Sequence, residues 1–431
     1  MFRVFARSRA CTALLLAALA LQAHAQEFNP QGDLTLAQAI EGAMHSNPDL
    51  KASTYELNAA QARILQAGVM PNPDLALDLE DFGGTGEVSG VRELQTTLSL
   101  SQVIELGGKR ARRVDAANSD RDLVGVEQRA RELDVLAEVT RRFVDVVAAQ
   151  ERVRLTQSTV DLIERTREAI SKRVEAARSP TVELSRARIS VIRAQLDLTQ
   201  AQTALESARQ SLASMWGATQ AQFGNAQANL FALPPLESLQ SLSDQLERSP
   251  DLMRFASESR LRDAELRLAQ AAARPNLALG LGLRRYESTN DTALVAGFSM
   301  GLPVFDRNQG NIAEASVRRT QTQALEQAAR IRAQATLYAL YKQVQVSRRQ
   351  LQMLKDEALP QAQAALDQTQ MGYDRGRFSY LELATAQQDL LALRAAVIES
   401  AADAHRLTAE IERLTSEPVT AAQWIIPESN P

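Results

Sequence analysis

Asn47-Pro48-Asp49-Leu50 opens a stretch that the chain writes twice: Ser249-Pro250-Asp251-Leu252 follows roughly 200 residues later, and Pro73-Asp74-Leu75-Ala76-Leu77 returns as Pro275-Asn276-Leu277-Ala278-Leu279 at the same offset. Further on, Val182-Glu183-Leu184 returns as Leu381-Glu382-Leu383. Each copy leads into apolar heptads, Leu184, Val191, Leu198, Leu205 and Leu212, then Leu383, Leu390, Val397, Ala404 and Ile411. Motifs and heptads that keep one register mean a duplicated structural unit. The reading is a first repeat over residues 26–216, a linker or equatorial segment over 217–237, a second repeat over 238–415 and a tail over 416–431.

Arg3, Arg7 and Arg9 precede an apolar run from Ala10 to Leu21 and then Ala23-His24-Ala25, the layout of a cleaved export signal over residues 1–25. The run is too short for a membrane anchor, which needs about 20 apolar residues. Cys11, the only cysteine, lies inside this signal, so the exported chain, starting at Gln26, is expected to have no disulfide and no lipid attached at an N-terminal cysteine. The net charge of −4 becomes more negative once three arginines are removed, which argues against nucleic acid as a partner. Hydrophobic residues make up 45% but aromatics only 4%, a composition that suits long, closely packed helices.

Between Leu106 and Ala177 there is no proline, and Val139, Val146, Val153 and Val160 recur every seven positions. This predicts one coiled-coil helix of about 70 residues, or about 100 Å. A second long helix is expected over Asn311–Met371, kinked at Pro360. Residues 181–216 and 238–273 would stack end to end against the first long helix, and residues 379–415 with 35–70 would make a second composite rod. Periodicity alone also fits a solid coiled-coil rod.

Four segments alternate instead, at about 74–82, 94–103, 276–286 and 293–302. Leu75, Leu77 and Leu79 oppose Asp74, Ala76, Asp78 and Glu80, while Leu277, Leu279, Leu281 and Leu283 oppose Gly280, Gly282 and Arg284. One greasy and one polar face at period two describes a membrane β-barrel strand, and it also describes two soluble hairpins covered by helices. In lipid, four strands leave two open edges that need partners, so a spanning sheet must oligomerise.

Together these features resemble the TolC family of outer-membrane efflux channels across nearly the whole exported chain. The resemblance rests on the duplicated Pro-Asp-Leu helices, the strand pairs, Gly372-Tyr373-Asp374-Arg375-Gly376 with Ser379-Tyr380-Leu381-Glu382-Leu383, and Leu302-Pro303-Val304-Phe305-Asp306. The segment from Leu100 to Arg110 resembles CzcC-like members, the branch that exports heavy-metal cations such as cobalt, zinc and cadmium. The resemblance implies a mainly α fold with a membrane β-barrel, in which three chains of four strands close a 12-stranded barrel on an α-helical periplasmic tunnel. It implies residence in the outer membrane of a Gram-negative bacterium, surrounded by outer-membrane lipid. It also implies a periplasmic membrane-fusion adaptor and an inner-membrane RND pump as partners. Export of drugs, solvents or proteins is the alternative within the family, and a periplasmic coiled-coil scaffold or adaptor is the alternative outside it.

By the same resemblance, the family's periplasmic aperture falls at the turns Arg178-Ser179-Pro180 and Gly376-Arg377-Phe378. The aperture tyrosine corresponds to Tyr373, the acidic aperture residue to Glu382 with Glu183 as its counterpart in the first repeat, and a second acidic position to Thr385. Ala177 stands where the second repeat has Gly376, which leaves the sharpness of the first turn open. Asp74, Asp78 and Glu80, with Arg284, are expected in the barrel lumen, either as a ring that attracts counter-ions or as the ordinary charge of a solvated interior. No enzyme constellation is present: there is no HExxH, no phosphate-binding glycine loop, and after the signal only His45 and His405, read as surface or packing residues. No catalytic residue, resident metal or cofactor is expected.

Overall fold

Proline cannot donate a backbone hydrogen bond, so a helix accepts it only in its first turn, and both copies of the repeated motif use it there. The computed structural model describes residues 28 and 30–416, so the expected signal and the tail beyond Ser416 lie outside the described residues. The order is β1 (Gly32–Leu34), α1 (Leu36–Ser46), α2 (Pro48–Ala67), β2 (Asp74–Glu80), β3 (Gln95–Glu105), α3 (Lys109–Glu175) and α4 (Thr181–Ala213). The second half runs β4 (Phe223–Ala226), α5 (Leu239–Leu246), α6 (Pro250–Ala272), β5 (Asn276–Tyr286), β6 (Thr292–Met300), α7 (Gln309–Met353), a π-helical turn (Leu354–Ala358), α8 (Leu359–Asp374) and α9 (Tyr380–Thr415). Asn47 caps α2 by accepting from the amides of Asp49 and Leu50, so the expected rods break at Asn47 and Ser249 instead of running through them.

The long helix α3 starts at Lys109 and not at Leu106, because Gly107 and Gly108 both take left-handed backbone angles, φ +75° and +71°. It spans 67 residues, about 100 Å. Its heptad valines Val139 and Val146 are fully buried. Cross-ties set the level of each neighbour along it. Arg142 reaches the Ser211 carbonyl at the end of α4, and Arg413 of α9 pairs with both Asp134 of α3 and Asp251 at the start of α6. Thus α4 and α6 lie one after the other along α3. On α2, Glu56 and Arg63 pair with Arg131 and Asp120 of α3. The second long rod is interrupted, because Pro360 cannot donate to the carbonyl of Asp356 and its ring crowds that oxygen; the widened π turn sits at this point.

Where the rods meet end to end lies the largest buried cluster, with Leu34, Leu36, Phe143, Leu212 and Leu230 fully enclosed. Trp216 is wedged there between Phe28 and Phe223, at ring separations of 5.7 and 6.0 Å. The stretch read as a linker adds β4, which pairs in parallel with β1. This pair was not visible in the sequence. His405 is buried beside it and bonds the Leu230 carbonyl at 3.0 Å, whereas His45 is exposed.

The four alternating segments form one antiparallel sheet in the order β2-β3-β5-β6. Its register aligns every greasy face: Leu77 lies opposite Leu98, Leu98 opposite Leu283, and Leu283 opposite Leu294. Among the described residues no helix is long and apolar enough to cross a membrane.

Candidate functional site: a two-faced sheet and a pair of helical turns

At the end of the rods where α2, α3, α6 and α7 meet the sheet, its apolar face has no cover. Leu75, Leu77, Leu281, Leu294 and Phe298 are all more than half exposed, and Leu294 reaches 87%. An apolar surface of this extent marks an interface with lipid or protein. Among the described residues the outer edges of β2 and β6 pair with nothing. The opposite face is polar and small, with Ser99, Gly280, Gly282 and Gly297 in its rows. Gly282 leaves no room for a larger residue, since a Cβ there would stand 2.8 Å from the Leu98 carbonyl.

On this polar face Asp74 and Asp78 are exposed, whereas Glu80 is already engaged: Arg284 reaches across β3 to it at 3.0 Å. On the way Arg284 bonds Thr97 Oγ1 at 2.9 Å and Gln95 Oε1 at 3.2 Å. Of the three carboxylates expected to act together, one is therefore neutralised by the fourth residue of the set.

At the far end the two turns have the same geometry despite their different sequences. Gly376 has φ +73° and Ala177 φ +54°, both left-handed. In each, the next amide closes the same six-residue loop, Arg377 to the Gly372 carbonyl and Arg178 to the Arg173 carbonyl, both at 2.8 Å. These are Schellman closures, which satisfy the last carbonyls of a helix. The first turn is thus as sharp as the second, and alanine carries the strain. Phe378 folds back on Gly372, where a Cβ would meet its ring at 2.1 Å.

Tyr373 is buried, 2% exposed, in a cluster with Ile170, Leu366, Tyr380, Leu383 and Leu390. Its hydroxyl donates to Glu183 at 3.4 Å, and burial, followed by the nearby Glu183 charge, raises its pKa above the usual tyrosine value. Glu382, expected at the aperture, also caps a helix. Its carboxylate accepts from the amide and hydroxyl of Ser379, at 2.6 and 2.8 Å, as half of a capping box that starts α9. The same bonds, the amide first, hold its pKa below the ordinary value. Ser379-x-x-Glu382 carries the capping-box signature, so this role was legible. Thr385 gives its hydroxyl to the Leu381 carbonyl of its own helix. Pro180 is the N-cap of α4, and Arg178 and Arg377 are exposed.

Sequence reasoning missed Arg173. It stands in the last turn of α3, with its guanidinium 4.5 Å from the centre of the Tyr373 ring. It donates to the Tyr373 carbonyl at 2.8 Å, the Asp374 carbonyl at 3.4 Å and Ser179 Oγ at 3.2 Å. Its partners are mainly backbone oxygens about 200 residues away, which leave no mark in sequence. Among the described residues no group of three or more His, Cys, Asp or Glu could hold a metal ion.

The profile of a family described as "Outer membrane efflux protein" matches residues 39–218 and 241–416. The chain is 34% identical to the cobalt-zinc-cadmium resistance protein CzcC of Cupriavidus metallidurans over 383 residues, covering 89% of this chain and 90% of that protein. Its fold is similar to that of a membrane protein from Pseudomonas aeruginosa, with a TM-score of 0.76 at 19% identity, covering 90% and 92% of the two chains. It is also similar to that of CusC, whose crystal structures concern folding and transmembrane channel formation, with a TM-score of 0.72 at 19% identity, covering 88% and 90%.

Proposed function

Because this chain belongs to the outer membrane efflux protein family, we propose that it is the outer-membrane duct of a tripartite pump, passing divalent heavy-metal cations such as cobalt, zinc and cadmium to the outside. The observation that carries this reading is the bare apolar sheet face with two open edges, set on rods about 100 Å long. In a hydrocarbon slab every backbone donor and acceptor must be paired, so the open edges demand other copies of the sheet. Three copies give twelve strands and leave an aqueous bore, whereas eight-stranded barrels fill with their own side chains. The rods then line a periplasmic tunnel, and the paired turns around Tyr373 form its aperture, where a membrane-fusion adaptor and an inner-membrane RND pump dock.

The duct carries no energy source and no reaction. Asp74 and Asp78, repeated by symmetry, attract cations in the lumen, while the Glu80–Arg284 pair contributes little net field. The similarity to CzcC supports metal cations over drugs as the cargo. The test is deletion of the gene in its host. The expected outcome is sensitivity to zinc, cobalt or cadmium with unchanged drug tolerance, restored by the intact gene. Drug or solvent sensitivity without metal sensitivity would move the cargo to the family's other branch. Recovery of the protein in the soluble periplasm would replace the channel with a scaffold.

A further inference from the structure

We propose that Arg173 is the positioning residue that binds the two turns of one chain into a single body, and that the Tyr373–Glu183 contact is secondary to it. The assignment rests on the reading of these turns as the aperture. A guanidinium has fixed, planar donors and suits several acceptors at once. Arg173 uses them on the end of α8 across from it, where the last carbonyls carry the negative pole of the helix, and on Ser179 of its own α3–α4 turn. The same cation lies against the face of the Tyr373 ring, which is itself nearly sealed from water.

By contrast, the Tyr373 hydroxyl meets Glu183 at 3.4 Å, near the limit of a hydrogen bond. Both contacts involve a charged group, so distance decides between them, and the Arg173 bond to the Tyr373 carbonyl is 2.8 Å. The oxygen that Arg173 holds at 2.8 Å, and the longer contact at 3.4 Å, are both on the main chain, so changing the side chain at Tyr373 leaves them in place. Removing the guanidinium frees the end of α8 from the α3–α4 turn, and separation of the helix ends must break this tie first.

The experiment is hydrogen exchange on the full-length detergent-extracted protein, followed at the backbone amides of residues 177–180 and 374–378. It is paired with open probability in planar bilayers. Arg173→Gln is expected to speed exchange in both turns by at least about 10-fold, the loss of one charge-assisted bond, and to raise open probability. Tyr373→Phe and Glu183→Gln are expected to change exchange by less than about threefold, since each removes one long bond. Arg173→Lys, which keeps the cation but not the fork, falls between. Unchanged exchange in Arg173→Gln, or an equal effect from Tyr373→Phe or Glu183→Gln, overturns the proposal. If Arg173→Gln fails to assemble, Arg173→Lys decides by the same comparison. Absence of any conductance in the unaltered protein would remove the channel reading, while the exchange data would still decide the role of Arg173.

Discussion

Leu77 and Ala76 are chain neighbours on opposite faces of β2, and an arginine placed at each separates lipid from water. Leu77 sits mid-strand in the row Leu77, Leu98, Leu283, Leu294 and is 62% exposed. If that face meets hydrocarbon, an arginine at mid-depth costs about 2–4 kcal/mol in each chain. In a trimer the cost is paid three times, about 6–12 kcal/mol, comparable to the whole stability of an ordinary domain. Ala76 lies opposite Ser99 on the polar face, with Asp74 and Asp78 two residues away on either side, so its arginine stays solvated near carboxylates and costs under about 0.5 kcal/mol. The assay is the fraction of each variant recovered from urea-washed outer membranes as a heat-stable oligomer. Leu77→Arg is expected to be nearly absent from that fraction and Ala76→Arg to match the parent. Equal recovery of the two variants would refute the assignment of faces.

Three further outcomes follow from local geometry. Ala177 pays for a left-handed backbone that glycine adopts freely, so Ala177→Gly stabilises the first turn by about 0.5–1 kcal/mol and Gly376→Ala destabilises the second by a similar amount, read as slower and faster proteolysis at the turns. Burial lowers the His405 pKa from 6.5 to about 4, so the folded form resists the proton that the unfolded chain accepts. Stability is full above pH 6.5 and falls by about 3 kcal/mol as pH drops toward 4; urea midpoints at pH 7 and 4.5 should show the decline, and His405→Gln should flatten it. Under the proposed barrel, Arg284→Gln frees Glu80 on the polar face, so reversal potentials in a salt gradient should shift toward cation preference, and an unchanged potential would remove Arg284 from the conduction path.

The strands were legible because their period of two is written in leucine, and the sheet register gathers those leucines into one face. The rods were legible because heptad valines recur without proline. Their ends were less so. Two glycines with left-handed angles delay the start of α3, and Asn47 and Ser249 cut the shorter rods. Pro360 announced a disturbance in the second rod but not the π turn that absorbs it. β1 and β4, of 3 and 4 residues, are too short to show alternation and are held by the Trp216 cluster around them. At the turns, resemblance singled out Tyr373 and Glu183 separately, whereas their contact and Arg173, which acts through main-chain oxygens, became visible only in three dimensions.

The most direct test of the shared barrel is the native mass of the protein extracted with mild detergent from purified outer membranes. A single species at three times the mass of the exported chain is the predicted result, since four strands per chain close on an aqueous bore most simply as twelve. A monomer or dimer, or recovery from the soluble periplasm, would contradict it.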